Sequence, residues 1–319
     1  MTTHAGARLG WIGAGRMGSV LAQRLLEAGH DVSVYNRTRA KSQPLSDLGA
    51  TLVDAPADLA DRDLVFTMVG GSQDFEDVVL GEAGLLSRHD VAPALLIDST
   101  TISVAASERV RVAAEDRGTA VLAAPVSGNP KVAAAGRLTI AASGPPEAFE
   151  RARPYLEVLG PGVTYVGEGD RARLVKICHN LMLGIVAQTL AEITVLAEKG
   201  GVSRADFLAF LNDSVMGSTF TRYKSPAYVN LDFTPTFTPA LLLKDFDLGF
   251  EAAGEMGVPM AVAATARESV QALIDGGYTD VDFAALIELQ ARASGLELVA
   301  EQTPVPDGLA HAEPAAGAA

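Results

Sequence analysis

Apolar residues along the chain fall into two patterns, and the change between them divides the sequence. ARLGWIGAG is a short apolar run ending in glycines, and RMGSVLAQRLLEAG follows with apolar positions at helical spacing until Gly29 stops it. DVSVYNR, DLVFTMV, ALLIDST and AVLAAPVSG are further runs of strand length, separated by Ala-rich amphipathic segments, LVDAPADLADR and SVAASERVRVAAEDRG, that read as helices. Strands alternating with helices predict βαβ units, hence an α/β, Rossmann-like N-terminal domain with a mostly parallel sheet. After about Gly167 the pattern changes. From Asp170 to Lys199 there is no proline and one interior glycine, which predicts a single helix of about 45 Å at 1.5 Å per residue. The later segments RADFLAFLND, ALLLKDFDLGFEAAGEMG, MAVAATARESVQALIDGG and DFAALIELQARAS are helical with little β signal between them. The expected organisation is a nucleotide-binding domain over residues 1–168 and an all-α domain over 169–301, joined by the long interdomain helix. The Pro- and Ala-rich tail, 302–319, is expected to be disordered.

Composition narrows the partners. With 319 residues, 48% hydrophobic and 20% charged, the chain has material for two cores. A net charge of −14 argues against nucleic acid, whose phosphates demand basic patches, but not against a small acidic ligand held by a few local groups. The single cysteine, Cys178, rules out an internal disulfide and fits a reducing compartment. With no apolar segment ahead of a cleavage site at the N-terminus, a cytoplasmic location is expected. The five histidines show no metal-ligand spacing, so no metal site is expected. The long helix approaches membrane-spanning length, but Lys176, His179, Asn180, Gln188 and Glu192 lie inside it, each costly in hydrocarbon. Burial between a domain core and a second subunit suits it better, which predicts a homodimer or higher homo-oligomer and no membrane.

Gly13-Ala14-Gly15-Arg16-Met17-Gly18 forms GxGxxG between a predicted strand and a predicted helix. Gly13 permits the tight turn, Gly15 removes a side chain where backbone meets pyrophosphate, and Gly18 lets helix and strand approach. An NAD site would carry a carboxylate about 20 residues further on, to take the ribose 2′-OH. The sequence there is Asn36-Arg37-Thr38, with an arginine able to bind phosphate and no acid. The expected cofactor is therefore NADP (as NADPH), with NAD the lesser choice.

LVKICHNLML places a lysine in an apolar helical run. Lys176 and Asn180, four residues apart, share a helix face. A nicotinamide enzyme needs a group to exchange the proton of a substrate oxygen as hydride moves, and a partly desolvated lysine suits that task. Taken alone, the same lysine reads as one that extends its ammonium to solvent.

With these motifs in order, the chain resembles the β-hydroxyacid dehydrogenase family from about Arg8 to Ser294. Members include 3-hydroxyisobutyrate dehydrogenases and glyoxylate or succinic semialdehyde reductases. IGAGRMG is similar to its cofactor turn, LIDSTTIS to a Ser-Thr segment beside the nicotinamide, and AAPVSGNPKVAAAGRLTIAASG to its substrate motif. KICHN has the spacing of its catalytic K-x-x-x-N, and LLLKDFDLGF looks like a later helix. The resemblance implies that Thr100 lies near the nicotinamide and that Ser127 and Gly128, with Asn129 beside them, hold a substrate carboxylate. It implies Lys176 as the proton donor and acceptor with Asn180 next to it. Lys244 would close over cofactor or substrate from the helical domain, and Asp247 would help position that region. The implied activity is an NADP-dependent oxidoreductase interconverting a short hydroxy acid and its semialdehyde or keto acid, enclosed between the domains. Ala123 replaces an expected aspartate and Asn129 an expected glycine, which leaves the particular acid open. His179 reads as a packed core histidine or a group tuning Lys176, and Cys178 as a small apolar filler. The rival readings are an imine reductase, against which Lys176 counts, a decarboxylating 6-phosphogluconate dehydrogenase, whose helical domain is much longer, and a non-catalytic dinucleotide-binding module.

Overall fold

A computed structural model describes residues 6–309 of the chain, in two compact units, one ending at Lys176 and the other beginning at Ile177. The division falls inside the long helix rather than ahead of it.

The first unit follows β1 (Leu9–Ile12), α1 (Arg16–Glu27), β2 (Val32–Tyr35), α2 (Gln43–Asp47), β3 (Thr51–Leu52), β4 (Leu64–Thr67), α3 (Ser72–Leu80), β5 (Leu95–Asp98), α4 (Val104–Glu115) and β6 (Ala120–Ala123). These six strands form one sheet in the order β3-β2-β1-β4-β5-β6, every pair parallel. The order reverses beside β1, so the turn after β1 opens at the switch point where such sheets bind ligands. Strands β1, β4 and β5 are buried at every position, which is why they read as continuous apolar runs rather than alternating ones.

A smaller sheet follows from β7 (Val126–Ser127), α5 (Pro130–Ala134), β8 (Thr139–Ala142), α6 (Pro146–Leu159) and β9 (Gly162–Tyr165). Here β7 runs antiparallel and β9 parallel to β8. Its two- to four-residue strands are too short for a periodic signal. LVDAPADLADR does not form the expected helix. It gives the end of β3 and one 3-10 turn, Pro56–Leu59, whose start is capped by the Asp58 carboxylate accepting from the Asp54 and Ala55 N–H groups.

The helix α7 (Arg171–Lys199) is unbroken, and among the described residues it is the one helix long and apolar enough to cross a membrane. Half of its apolar window is buried inside the protein. The second unit continues with α8 (Arg204–Asp213), α9 (Thr219–Asn230), α10 (Pro239–Met256), α11 (Ala261–Asp275) and α12 (Leu286–Ala293). Helices α7 and α10 approach closely through two glycines. A Cβ at Gly184 would stand 2.5 Å from the Phe246 ring, and one at Gly249 would stand 2.6 Å from Leu181.

Two buried cations tie the helical unit together. Lys224 donates to Asp282 (2.5 Å) and lies 4.2 Å from the Phe283 ring centroid. The second Asp282 oxygen accepts from the Thr236 hydroxyl and N–H. Burial alone would raise the Asp282 carboxyl, but the Lys224 ammonium and these hydrogen bonds outweigh it and hold it below the ordinary carboxylate value. Arg204, fully buried, donates to Glu198 and to the carbonyls of Val229 and Val299. Glu301 accepts from the Arg204 and Ala205 N–H groups, and Asn230 exchanges two hydrogen bonds with the Thr303 backbone. The tail expected to be disordered is instead held at Thr303 by Asn230 and buries Leu309; residues 310–319 lie outside the described ones.

Candidate active site

The turn after β1 is shaped by its glycines in different ways. Gly13 has φ +103°, and a Cβ there would strike the Met68 carbonyl. At Gly18 a Cβ would strike the Gly13 carbonyl, so this residue lets α1 close onto the turn. Gly15 is different: a Cβ would meet nothing within 4 Å. The protein's own packing does not require glycine at this position, whereas a phosphate brought against the backbone would. Gly15 is the N-cap of α1, no acid lies in the first turn, and Arg16 and Met17 open the helix. The positive end of α1 therefore faces open space at Gly15, a fit for pyrophosphate.

Asn36, expected to hold cofactor, is occupied within the protein. Its Oδ1 accepts from Ala14 N–H (2.8 Å) and its Nδ2 donates to the Thr38 carbonyl (2.8 Å), which ties the end of β2 to the glycine turn. Arg37 is largely exposed and paired with Asp74 at 3.0 Å. Thr38 is exposed beside it.

Thr100 is buried, its hydroxyl accepting from Val69 N–H and its carbonyl from Arg173. Arg173, in the first turn of α7, is 2% exposed and donates to Asp98 (2.8 Å), Ser107 (2.8 Å) and Asp170 (3.1 Å). Asp98, fully buried, also accepts from the Thr67 hydroxyl and Thr100 N–H. Ser143 accepts from Ala172 N–H and donates to the Gly169 carbonyl. The start of α7, which carries Lys176 one turn on, is thus anchored to the β5 and β8 ends by buried bonds. Sequence reasoning missed Asp98 and Arg173, although an acid closing the apolar strand LLID was a signal.

Ser127, in β7, is half-buried, and Gly128 has φ +134° with Leu138 and Val132 where a Cβ would go. Asn129 is buried as the N-cap of α5, its Oδ1 accepting from Val132 N–H (3.0 Å). Its side-chain oxygen thereby holds the start of a helix. A glycine there would lack the cap.

In the helical unit, Asn180 is buried and donates to Asp245 Oδ2 at 2.5 Å, while its Oδ1 faces His179 Nδ1 at 2.9 Å. Both ends of the amide are thereby oriented, and His179 Nδ1 must carry the proton in that contact. His179 itself is exposed, as is Cys178, so neither is the packed residue expected: both lie off the face that Ile177 and Leu181 bury. Lys176 is half-buried, and Lys244 Nζ lies 3.5 Å from Asp245 Oδ1. Asp247, expected to position this region, instead pairs with Arg267 on the exposed side of α10 and α11. Asp245 occupies the position next to Asn180, and helical spacing could have found it. Leu242, Asp245, Phe246 and Gly249 fall on the buried stripe, and Asp247 does not.

Comparison with known proteins agrees with this fold. Residues 8–167 match the family described as the NAD binding domain of 6-phosphogluconate dehydrogenase, and 170–290 that described as the NAD-binding region of NADP-dependent 3-hydroxyisobutyrate dehydrogenase. The 3-hydroxyisobutyrate dehydrogenase of Pseudomonas aeruginosa is 31% identical over 291 residues, 88% of this chain and 97% of that one. This chain belongs to the β-hydroxyacid dehydrogenase family. It is an NAD(P)-linked oxidoreductase of the type acting on CH–OH groups. Glyoxylate/succinic semialdehyde reductase 2 of Arabidopsis thaliana is 30% identical over 290 residues, 91% of this chain and 81% of that one. The crystal structure of a 3-hydroxyisobutyrate dehydrogenase from Salmonella typhimurium superposes with a TM-score of 0.81 at 25% identity, covering 89% of this chain and 99% of that one.

Proposed function

We propose that this dehydrogenase prefers NADP and interconverts a short β-hydroxy acid, or a 2- or 4-hydroxy acid, with its semialdehyde or keto acid, with Lys176 as general acid and base. The observation that carries the reading is the orientation of Asn180 by Asp245, one turn along α7 from Lys176. A buried amide held at both ends makes a fixed hydrogen-bonding group, of the kind a reacting oxygen needs beside its proton-transfer partner. Bound NADP supplies what the chain lacks, an acceptor or donor of hydride. The remaining work falls to side chains. In oxidation the neutral Lys176 amine takes the hydroxyl proton; in reduction its ammonium returns a proton to the carbonyl oxygen. Asn180 directs its second N–H toward that oxygen, and Ser127 Oγ with Gly128 N–H holds the carboxylate. Arg37 takes the 2′-phosphate.

Lys176→Ala is expected to lower turnover by about 10²- to 10⁴-fold while NADPH binding is retained. Near-normal turnover in that variant would remove the acid–base assignment. The substrate is sought by following NADPH oxidation against glyoxylate, succinic semialdehyde and methylmalonate semialdehyde, with NADH in parallel. Imine reductases share the fold; activity on cyclic imines with none on these aldehydes would reverse the reading. Nucleotide binding without turnover across a broad carbonyl panel would favour a sensor.

A further inference from the structure

The preference for NADP rests on Arg37 and on the lack of an acid at the end of β2. The fold returns an acid to that place from elsewhere in the sequence. Asp74, in the first turn of α3, sets its Oδ1 3.0 Å from Arg37 Nη1. Its other oxygen leans over Gly70, 2.5 Å from where a Cβ would stand, so Gly70 leaves room for the carboxylate to reach across. The neighbouring arginine is paired in the same way, Arg39 with Asp54, and the Asn36 amide is spent on Ala14 and Thr38. Arg37, the cation given to the 2′-phosphate in the proposed function, would thus meet it already partnered by a carboxylate.

We infer that Asp74 is a cofactor-specificity residue that opposes Arg37, so that the protein uses NADH as well as NADPH and this pair sets the ratio. The inference rests on the proposed role of Arg37. A 2′-phosphate bound at the other edge of the guanidinium lies within a few ångströms of the Asp74 charge. There it is repelled, and it must share a cation already paired with a carboxylate. A ribose 2′-OH suffers neither effect and is itself a donor to carboxylates. The pair is solvent-exposed, with Arg37 82% and Asp74 37% exposed, so the effect is modest and weakens with salt.

The test is equilibrium binding of NADPH and NADH to the full chain. Binding is read by energy transfer from the single tryptophan, Trp11, which lies beneath the glycine turn with its Nε1 on the Gly13 carbonyl. Asp74→Asn keeps the shape and removes the charge. It is expected to tighten NADPH by about two- to fivefold and to leave NADH unchanged or weaker. Arg37→Ala is expected to weaken NADPH by about tenfold with NADH moved less than about twofold. An unmoved NADPH-to-NADH ratio in Asp74→Asn, or weaker NADPH, overturns the inference. So does an equal gain from Asp77→Asn, which removes the same net charge from α3 away from Arg37. If Arg37→Ala weakens NADPH but Asp74→Asn shifts nothing, only the role of Asp74 falls. If Arg37→Ala leaves NADPH unmoved, the 2′-phosphate reading itself falls and takes the inference with it.

Discussion

Replacing Asp245 by asparagine separates its charge from its shape. Asp245 is 2% exposed, accepts from Asn180 Nδ2 at 2.5 Å and has Lys244 Nζ 3.5 Å away. In Asp245→Asn the amide oxygen still accepts from Asn180, so a charge-assisted bond becomes a neutral one, a loss of about 1 kcal/mol. If Asn180 must be oriented only in the reacting complex, that loss falls on kcat, by roughly five- to tenfold. Asp245→Ala strips the acceptor altogether and leaves a buried N–H unpaired, which costs about 1–3 kcal/mol; kcat then falls by about ten- to a hundredfold. Both variants leave the β1 turn untouched, so NADPH affinity stays at the wild-type value. The decisive assay is a double-mutant cycle on kcat with Asn180→Ala, read by NADPH oxidation at saturating aldehyde. With Asn180 already gone, Asp245→Asn is expected to cost nothing further, so the coupling equals the single-mutant loss. An equal loss from Asp245→Asn in both backgrounds refutes the reasoning. The carboxylate would then act through Lys244, and Lys244→Met would reproduce its effect.

Other outcomes follow from the packing. Lys224→Met leaves Asp282 buried without its cation and is expected to destabilise the protein by about 3–5 kcal/mol at pH 7 in urea unfolding. Because the Asp282 carboxyl is depressed in the folded protein, its stabilisation is present above about pH 4 and is lost as pH falls through the lower folded value. The gap between Lys224→Met and wild type should therefore narrow on acidification, and a constant gap from pH 7 to pH 3 would contradict the assignment. Gly184→Ala gains up to about 1 kcal/mol of helix propensity, but its methyl meets Phe246 at 2.5 Å and overpacking costs about 1–3 kcal/mol. A net loss of stability is expected, with a fall in kcat as α10 is pushed away from α7. Met182, Thr189 and Leu196 recur every seven residues as an exposed stripe on α7, the two apolar ones 67% and 71% exposed. We propose that a second copy covers this stripe, so Met182→Glu with Leu196→Glu should convert a dimer to monomer by light scattering, and an unchanged mass would refute it.

The parts of the fold visible in the sequence were those whose buried faces repeat. A central parallel strand is covered on both sides, so LGWI, LVFT and LLID announce themselves without context. The helix α7 was visible in its uninterrupted length. The small sheet β7-β8-β9 was not, because strands of two to four residues leave no period to count and owe their existence to partners far along the chain. LVDAPADLADR failed for another reason: an amphipathic composition does not report how many turns form, and here only the capped turn Pro56–Leu59 does. The packing of residues 302–309 was hidden by low complexity. Asn230 holds Thr303 through a contact 73 residues away in sequence, and Arg204 holds the chain just before it at Val299 and Glu301.

At the site, the spacing of Lys176 and Asn180 reported a shared helix face because a helix alone fixes that relation. What sequence spacing does not report is the identity of the group facing them. Asp245 and Asp247 lie two residues apart in the same helix, and both are acids near Lys244. Two residues in a helix are about 200° apart, so one acid enters the buried stripe with Leu242, Phe246 and Gly249, while the other turns to Arg267. Phase relative to the apolar stripe, rather than proximity to a motif, identifies the acid that can orient Asn180. The same reasoning stops at Asp74. It lies on a different element from Arg37, 37 residues away, and no period connects them. A cofactor preference read from the end of β2 by adjacency counts one charge, whereas the Asp74 side chain, reaching Arg37 from α3, supplies the second. Adjacency to a glycine turn is therefore a sound guide to phosphate binding, where backbone does the work, and a weaker one to cofactor discrimination, where through-space charge does it.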